Sequence, residues 1–230
     1  MFLQEGLYQA YPDVVASVMK QLSLKSGMRS WLEKAYTAVQ SEMKQLNFWR
    51  TFKPKYWREL THTQRQTVLE SHMFLKDKGD GAIKGRDVYG GNKKRDYISK
   101  ENTISPMVAT EALLMSCIID AEEERDVAVI DILNTFIQAR VEDENDMVFI
   151  KTRGVLVDIL VEISPDFYKL HVTTDKKGVK QLIVQCQNAL YGTMVASIIY
   201  YRKFTKTLTD FWFKINPYNM CVANKMIDGK

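Results

Sequence analysis

Apolar residues recur at helical spacing in Val14-Val15-Val18-Met19-Leu22 and again in Trp31-Leu32-Ala35-Tyr36-Val39, predicting two helices within residues 1–48. Ser23 to Ser30, with Gly27, is the expected break between them. Beyond residue 72 the pattern shortens. Met73-Phe74-Leu75, a turn at Gly79-Asp80-Gly81 and a return from Ala82 to Tyr89 predict a β-hairpin. A short helix is expected from about Pro106 to Cys117, capped by Ser105, with Glu111 in its first turns. Met147 to Lys151 reads as a strand, and Val155 to Ile163 as a helix buried on most sides. Tyr168 to Gln187 predicts a second hairpin turning at Asp175-Lys176-Lys177-Gly178. A long helix is expected from Ala189 to about Asp210, then strands over Phe211–Ile215 and Cys221–Met226. Ile227-Asp228-Gly229-Lys230 carries a hairpin-turn signature with no return strand, so the chain is expected to be truncated.

The stretch most charged with chemistry runs from Asp126 to Gln138. Val127, Val129 and Ile130 form a short β-branched run bounded by charge, the pattern of a buried strand neighbouring Met147–Lys151, and Asp131 stands at its end. A carboxylate there needs a donor, a cation or a metal. It could N-cap a short helix from Phe136 to Arg140, or it could hold a catalytic metal.

Composition is that of an ordinary globular protein, and no apolar run approaches the ~20 residues of a membrane span. With no signal-peptide pattern at the start, an intracellular, cytoplasmic location is expected. Cys117, Cys186 and Cys221 suit reduced thiols, and the three histidines show no zinc spacing, so any metal would be held by oxygen. The net charge of +4 is unevenly placed: residues 76–100 hold eight basic side chains against four aspartates. Such a strip can neutralise phosphates, or it can be a solvated surface. Phe48–Leu60, rich in Trp, Tyr, Lys and Arg, could likewise stack bases or form a snorkelling patch.

Several motifs in order over residues 38–230 resemble the reverse transcriptase of copia-type LTR retrotransposons. Lys84-Gly85-Arg86-Asp87-Val88 is similar to that family's Lys-Ala-Arg-Leu-Val, and Ser105-Pro106 to its Ser-Pro. Ile130-Asp131-Ile132 through Phe136-Ile137 resembles Asp-Val-x-x-Ala-Phe-Leu, and Leu190-Tyr191-Gly192 matches Leu-Tyr-Gly. The resemblance implies an α+β fold of polymerase fingers plus a partial palm, mainly antiparallel sheet with flanking helices. It divides the chain into a helical leader or polyprotein remnant over 1–47 and the reverse transcriptase fingers and partial palm over 48–230.

It also implies roles. Asp131 would be the first of three carboxylates holding two Mg2+ (or Mn2+) ions, which two-metal transfer places ~3.5–4 Å apart. The main chain at Ile132 would touch metal or triphosphate, and Phe136 would be the gate against a 2′-hydroxyl. Lys84 and Arg86 would bind the triphosphate, while Lys93, Lys94, Arg95, Tyr191 and Gly192 would lie along template and primer. Partners would be an RNA template, a DNA primer, deoxynucleoside triphosphates and the rest of the Pol polyprotein, with no membrane. The parent element's particle would be its setting.

The departures are equally specific. Thr193-Met194-Val195 stands where the family carries Leu-Lys-Gln, and no Tyr-x-Asp-Asp occurs in the sequence. One carboxylate cannot hold two metals, so the chain alone is expected to be inactive. It is therefore read either as a piece of an RNA-directed DNA polymerase or as a non-catalytic remnant that binds nucleic acid. A third reading is an unrelated binding domain that shares the motifs by chance.

Overall fold

The computed structural model describes residues 21–90 and 105–227. These form two compact units, one built from the segments around 21–90 and 147–187, the other from those around 105–146 and 188–227.

The first unit holds a seven-stranded sheet. Its strands are β1 (Gln21–Ser23), β2 (Phe52–Lys55), β3 (Leu69–Asp77), β4 (Ile83–Tyr89), β5 (Phe149–Arg153), β6 (Thr173–Thr174) and β7 (Lys180–Cys186). The main path runs β1-β3-β5-β7-β2, with β4 also on β3 and β6 on β7. All pairs are antiparallel except β3–β5, which is parallel through Leu69↔Ile150 and Glu70↔Lys151. Strand β3 is therefore shared: its first residues join β5, and its remainder carries β1 and β4.

The β3–β4 hairpin forms as the sequence predicts. Gly79 and Gly81 take φ of 84° and 81°, and the carboxylates of Asp77 and Asp80 accept the amides of Gly79 and Ala82. Only residues without a Cβ reach such φ cheaply, and Asx caps close the turn.

Helix α1 (Leu24–Phe48) packs its buried residues Gly27, Ala35, Ala38, Val39, Met43 and Leu46 on β3 and β4. Its one break is at Leu32, at φ 43°, not in the stretch Ser23–Ser30; Gly27 lies within the helix, where the missing side chain leaves room for Leu75. Residues 1–20, including the first expected helix, lie outside the described residues. A short helix α2 (His62–Gln66) is closed by a capping box of Thr61 and Gln64. Helix α4 (Val155–Ile163) buries Leu156, Val157, Ile159 and Leu160 against the sheet and α1. Helix α5 (Pro165–Tyr168) follows, before the expected hairpin turn at Asp175–Gly178. Tyr168 is fully buried, its hydroxyl donating to Asn47 Oδ1 at 3.0 Å, and burial pushes its pKa up to about 12.

The second unit contains helices α3 (Thr110–Glu122) and α6 (Ala196–Asp210) and the two-stranded ladder β8 (Lys214–Ile215) with β9 (Ala223–Asn224). Here the sequence reading needs four corrections. Val127–Ile130 is not a strand: the segment is irregular, with Val129 97 % exposed. β-Branched residues favour a strand only where a ladder partner exists, and the expected neighbour β5 has both edges taken by β3 and β7. Phe136–Arg140 is a single 3₁₀ turn over Phe136–Gln138, and α3 starts at Thr110, not Pro106, with no side-chain cap from Ser105. Ala189–Gly192 precedes α6 as a turn rather than opening it. No helix among the described residues is long and apolar enough to cross a membrane. The turn at Asp228–Lys230 lies outside them.

Candidate nucleic-acid interface

Strand alternation sorts the β1-β3-β4 ladder into two faces. One is turned to α1: Leu75 lies opposite Gly85, Met73 opposite Asp87 and Ser71 opposite Tyr89. Gly85 is required there, since a Cβ would stand 3.0 Å from the carbonyl oxygen of Ala38. Asp87 is buried between two hydroxyls, with Ser71 Oγ and Tyr89 Oη donating at 2.7 Å each. Desolvation pushes its carboxyl up to about 6 against those two bonds. Burial raises the pKa of Glu42 on α1 as well, with the Asp87 backbone and the charges of Lys84 and Arg86 opposing the shift.

The other face is open. Phe74, half-buried, lies between Ser23 and Arg86, while Lys76 lies between Gln21 and Lys84. His72 and Val88 complete it. Lys76, Lys84 and Arg86 are exposed. No carboxylate of β1 or β4 shares this face; the one on β3, Glu70, is engaged by Lys151 and Arg153 at 3.6 and 3.3 Å. Like charges directly opposite across a ladder are destabilising, so Lys76 against Lys84 is a cost the bare protein carries. A phosphate backbone laid across the strands would relieve it, and Phe74 offers a ring on which a base can stack.

The aromatic and basic stretch after Phe48 is different. Arg58 lies over the Tyr56 ring at 4.9 Å, and Arg65 and Lys151 over Trp57 at 5.7 and 5.4 Å. These rings face the protein's own cations, the snorkelling arrangement rather than the base-stacking one.

In the second unit Asp131 is exposed and caps nothing: the 3₁₀ turn follows Thr135, with no side-chain cap. The Ile132 carbonyl accepts the Thr135 hydroxyl. Phe136 and Tyr191 are brought together, their centroids 6.0 Å apart, with Tyr200 edge-on to Phe136 at 6.2 Å. Leu190–Thr193 is a turn closed by the Thr193 amide and hydroxyl on the Leu190 carbonyl, and Gly192 supplies the φ of 87° it needs. Among the described residues no three His, Cys, Asp or Glu side chains are grouped to hold a metal ion. The structure thus puts Asp131, Ile132, Phe136, Tyr191 and Gly192 in one unit and Lys84 and Arg86 in the other, while Lys93, Lys94 and Arg95 lie outside the described residues.

Sequence reasoning named Lys84 and Arg86 but missed Phe74 as their neighbour, although His72, Phe74 and Lys76 alternate at strand period. It gave no role to Glu42, or to Asp87 within the Lys84–Val88 motif, because nothing local marks either as buried. Comparison of the chain with protein-family models, with curated proteins and with solved structures finds no match in any of the three.

Proposed function

We propose that this chain derives from the fingers and palm of a copia-type reverse transcriptase, and that its working surface binds the backbone of single-stranded nucleic acid. The motif order supports the ancestry. One observation carries the activity: the face on which Lys76 opposes Lys84 and Arg86 flanks Phe74, its one carboxylate, Glu70, being held by Lys151 and Arg153. Lysines supply mobile point charges, Arg86 a planar fork, and the ring a sequence-indifferent stacking platform. Binding of this kind positions a strand without reading its bases.

The donor set does not fit a two-metal centre. Asp131 stands exposed outside any strand, and among the described residues it belongs to no group of three His, Cys, Asp or Glu that could hold a metal ion. No step of nucleotidyl transfer is therefore assigned to these residues. The polymerase reading keeps one supporting observation, the shared aromatic cluster of Phe136 and Tyr191, where a sugar-facing gate would need rigid packing.

Fluorescence anisotropy with a labelled 12-nucleotide RNA tests the proposal. Affinity should fall steeply with salt, and Lys84→Gln and Arg86→Gln should each reduce the slope of log K against log salt by about 0.7. Absence of binding at 50 mM salt, or a slope untouched in both variants with native melts, overturns it.

A further inference from the structure

The second unit contains a cleft of about 510 Å3 between the segment Arg140–Asp146 and helix α6. Its size lies within the range of small-ligand sites. Helix α6 lends it Ile199, Arg202, Lys203 and Lys206, one stripe at i, i+3, i+4 and i+7. The opposite wall offers Arg140, Glu142, Asp143 and Asp146.

The lining holds four cations and three carboxylates, and only some of them are joined in ion pairs. Asp146 holds Arg202 at 3.1 Å, with its own side chain only 13 % exposed. The Asp143 carboxylate accepts the Asn145 amide at 2.8 Å. Lys206 pairs along the helix with Asp210 at 2.7 Å. Lys203 is different: its ammonium donates to the main-chain carbonyl of Gln138, a neutral group. That bond places the charge without neutralising it. Asp143 likewise keeps its charge, since its amide partner is neutral, so Glu142 and Asp143 are the lining carboxylates outside the Asp146–Arg202 pair, against Arg140 and Lys203.

Arg140 is itself anchored by backbone. It bridges Asn188, the Ala189 amide donates to the Ala139 carbonyl at 2.8 Å, and the Asn188 side-chain amide donates to the Ile137 carbonyl. The cleft thus joins a positioned ammonium, two guanidinium forks of which Asp146 orients one, an apolar wall at Ile199 and two carboxylates, of which Asp143 is turned to the Asn145 amide. Ammonium and guanidinium groups favour phosphoryl oxygens, and a free carboxylate accepts from hydroxyls.

We propose that this cleft binds a sugar phosphate, with the phosphoryl group on Lys203, Arg140 and Arg202 and a sugar hydroxyl on Glu142. Free sugar phosphates and the backbone of an RNA strand share that chemistry. The site is independent of the β3–β4 face.

Titration calorimetry of the full chain with ribose 5-phosphate, and anisotropy with the 12-nucleotide RNA, separate the two sources. Lys203→Gln and Arg140→Gln should each weaken the true ligand about tenfold, the loss of one charge-assisted hydrogen bond. Lys84→Gln should leave ribose 5-phosphate binding unchanged, which keeps this outcome distinct from that of the β3–β4 face. Loss confined to the RNA arm assigns the site to a strand, and loss confined to the calorimetric arm to a free ligand. The proposal is overturned if neither probe binds, or if neither variant weakens either probe while thermal melts stay native.

Discussion

The phenol of Tyr89 donates to one oxygen of Asp87, two positions back on the same strand, while Ser71 across the ladder donates to the other. They belong to the two strands on which helix α1 packs, and the like charge of Glu42 on that helix also raises the Asp87 pKa. Two hydroxyls replace water for a buried carboxylate, but incompletely, as its pKa of about 6 shows.

Acidity should therefore stabilise this unit. The folded state raises the Asp87 pKa from 3.8 to about 6, so its contribution is full below the unfolded value and lost as pH rises through 6. The penalty at pH 7 is at most on the order of 3 kcal/mol. The raised Glu42 adds in the same direction, with Lys84 and Arg86 opposing it. Asp87→Asn should melt higher than the parent in urea at pH 7.5 and lose that advantage at pH 4.5. A higher parent midpoint at pH 7.5 would refute this.

Gly85 should resist enlargement. Because a Cβ there meets the main-chain oxygen of Ala38 at 3.0 Å, α1 must back away from β4. Gly85→Val should cost about 1–3 kcal/mol by chemical denaturation, and Gly85→Ala less.

Lys76 and Lys84 should separate stability from binding. Removing either charge ends a like-charge cross-strand pair, so Lys76→Gln should stabilise the fold by about 0.2–1 kcal/mol while weakening RNA. A variant that loses both together would point to a packing role instead.

Primer extension on an RNA template with magnesium or manganese should give no product from this chain or from Asp131→Asn. The variant should also melt at the parental temperature, because the Asp131 carboxylate is exposed. Product from the parent that disappears in the variant would reinstate Asp131 as a metal ligand.

Thiol labelling checks the burial pattern directly. Cys117 and Cys221 are exposed and should react with an aromatic disulfide reagent in the native state, and Cys186 only after unfolding.

Local signals carried the first unit well. Val155–Ile163 was legible because Asp158 and Glu162 stand four apart in an otherwise apolar run, and Asp175–Gly178 and Gly79–Gly81 because Gly and Asp mark tight turns. The second unit was less legible. Val127–Ile130 has strand propensity, but strand formation is decided by a partner elsewhere in the chain, which no local window contains. Asp131 and Leu190–Gly192 went astray for a related reason: a motif fixes which residues occur, not whether a carboxylate lies in a strand or a glycine in a turn. Asp87 was invisible because burial of a charge depends on Ser71, Tyr89 and Glu42 meeting around it.

The pairing of β2 with β7 sets an order of events for synthesis. Phe52 finds its ladder partner in Cys186, and β3 meets β5 only after the whole segment 105–146 has emerged. Closing such long loops is entropically unfavourable and slow. On the ribosome, the β1-β3-β4 layer and α1 can assemble early from contiguous chain. Strand β2 must wait with an open edge until the chain has been made as far as Cys186 of its 230 residues. Folding of the first unit should thus be governed by its latest strand, β7, and be vulnerable to aggregation through β2 until then.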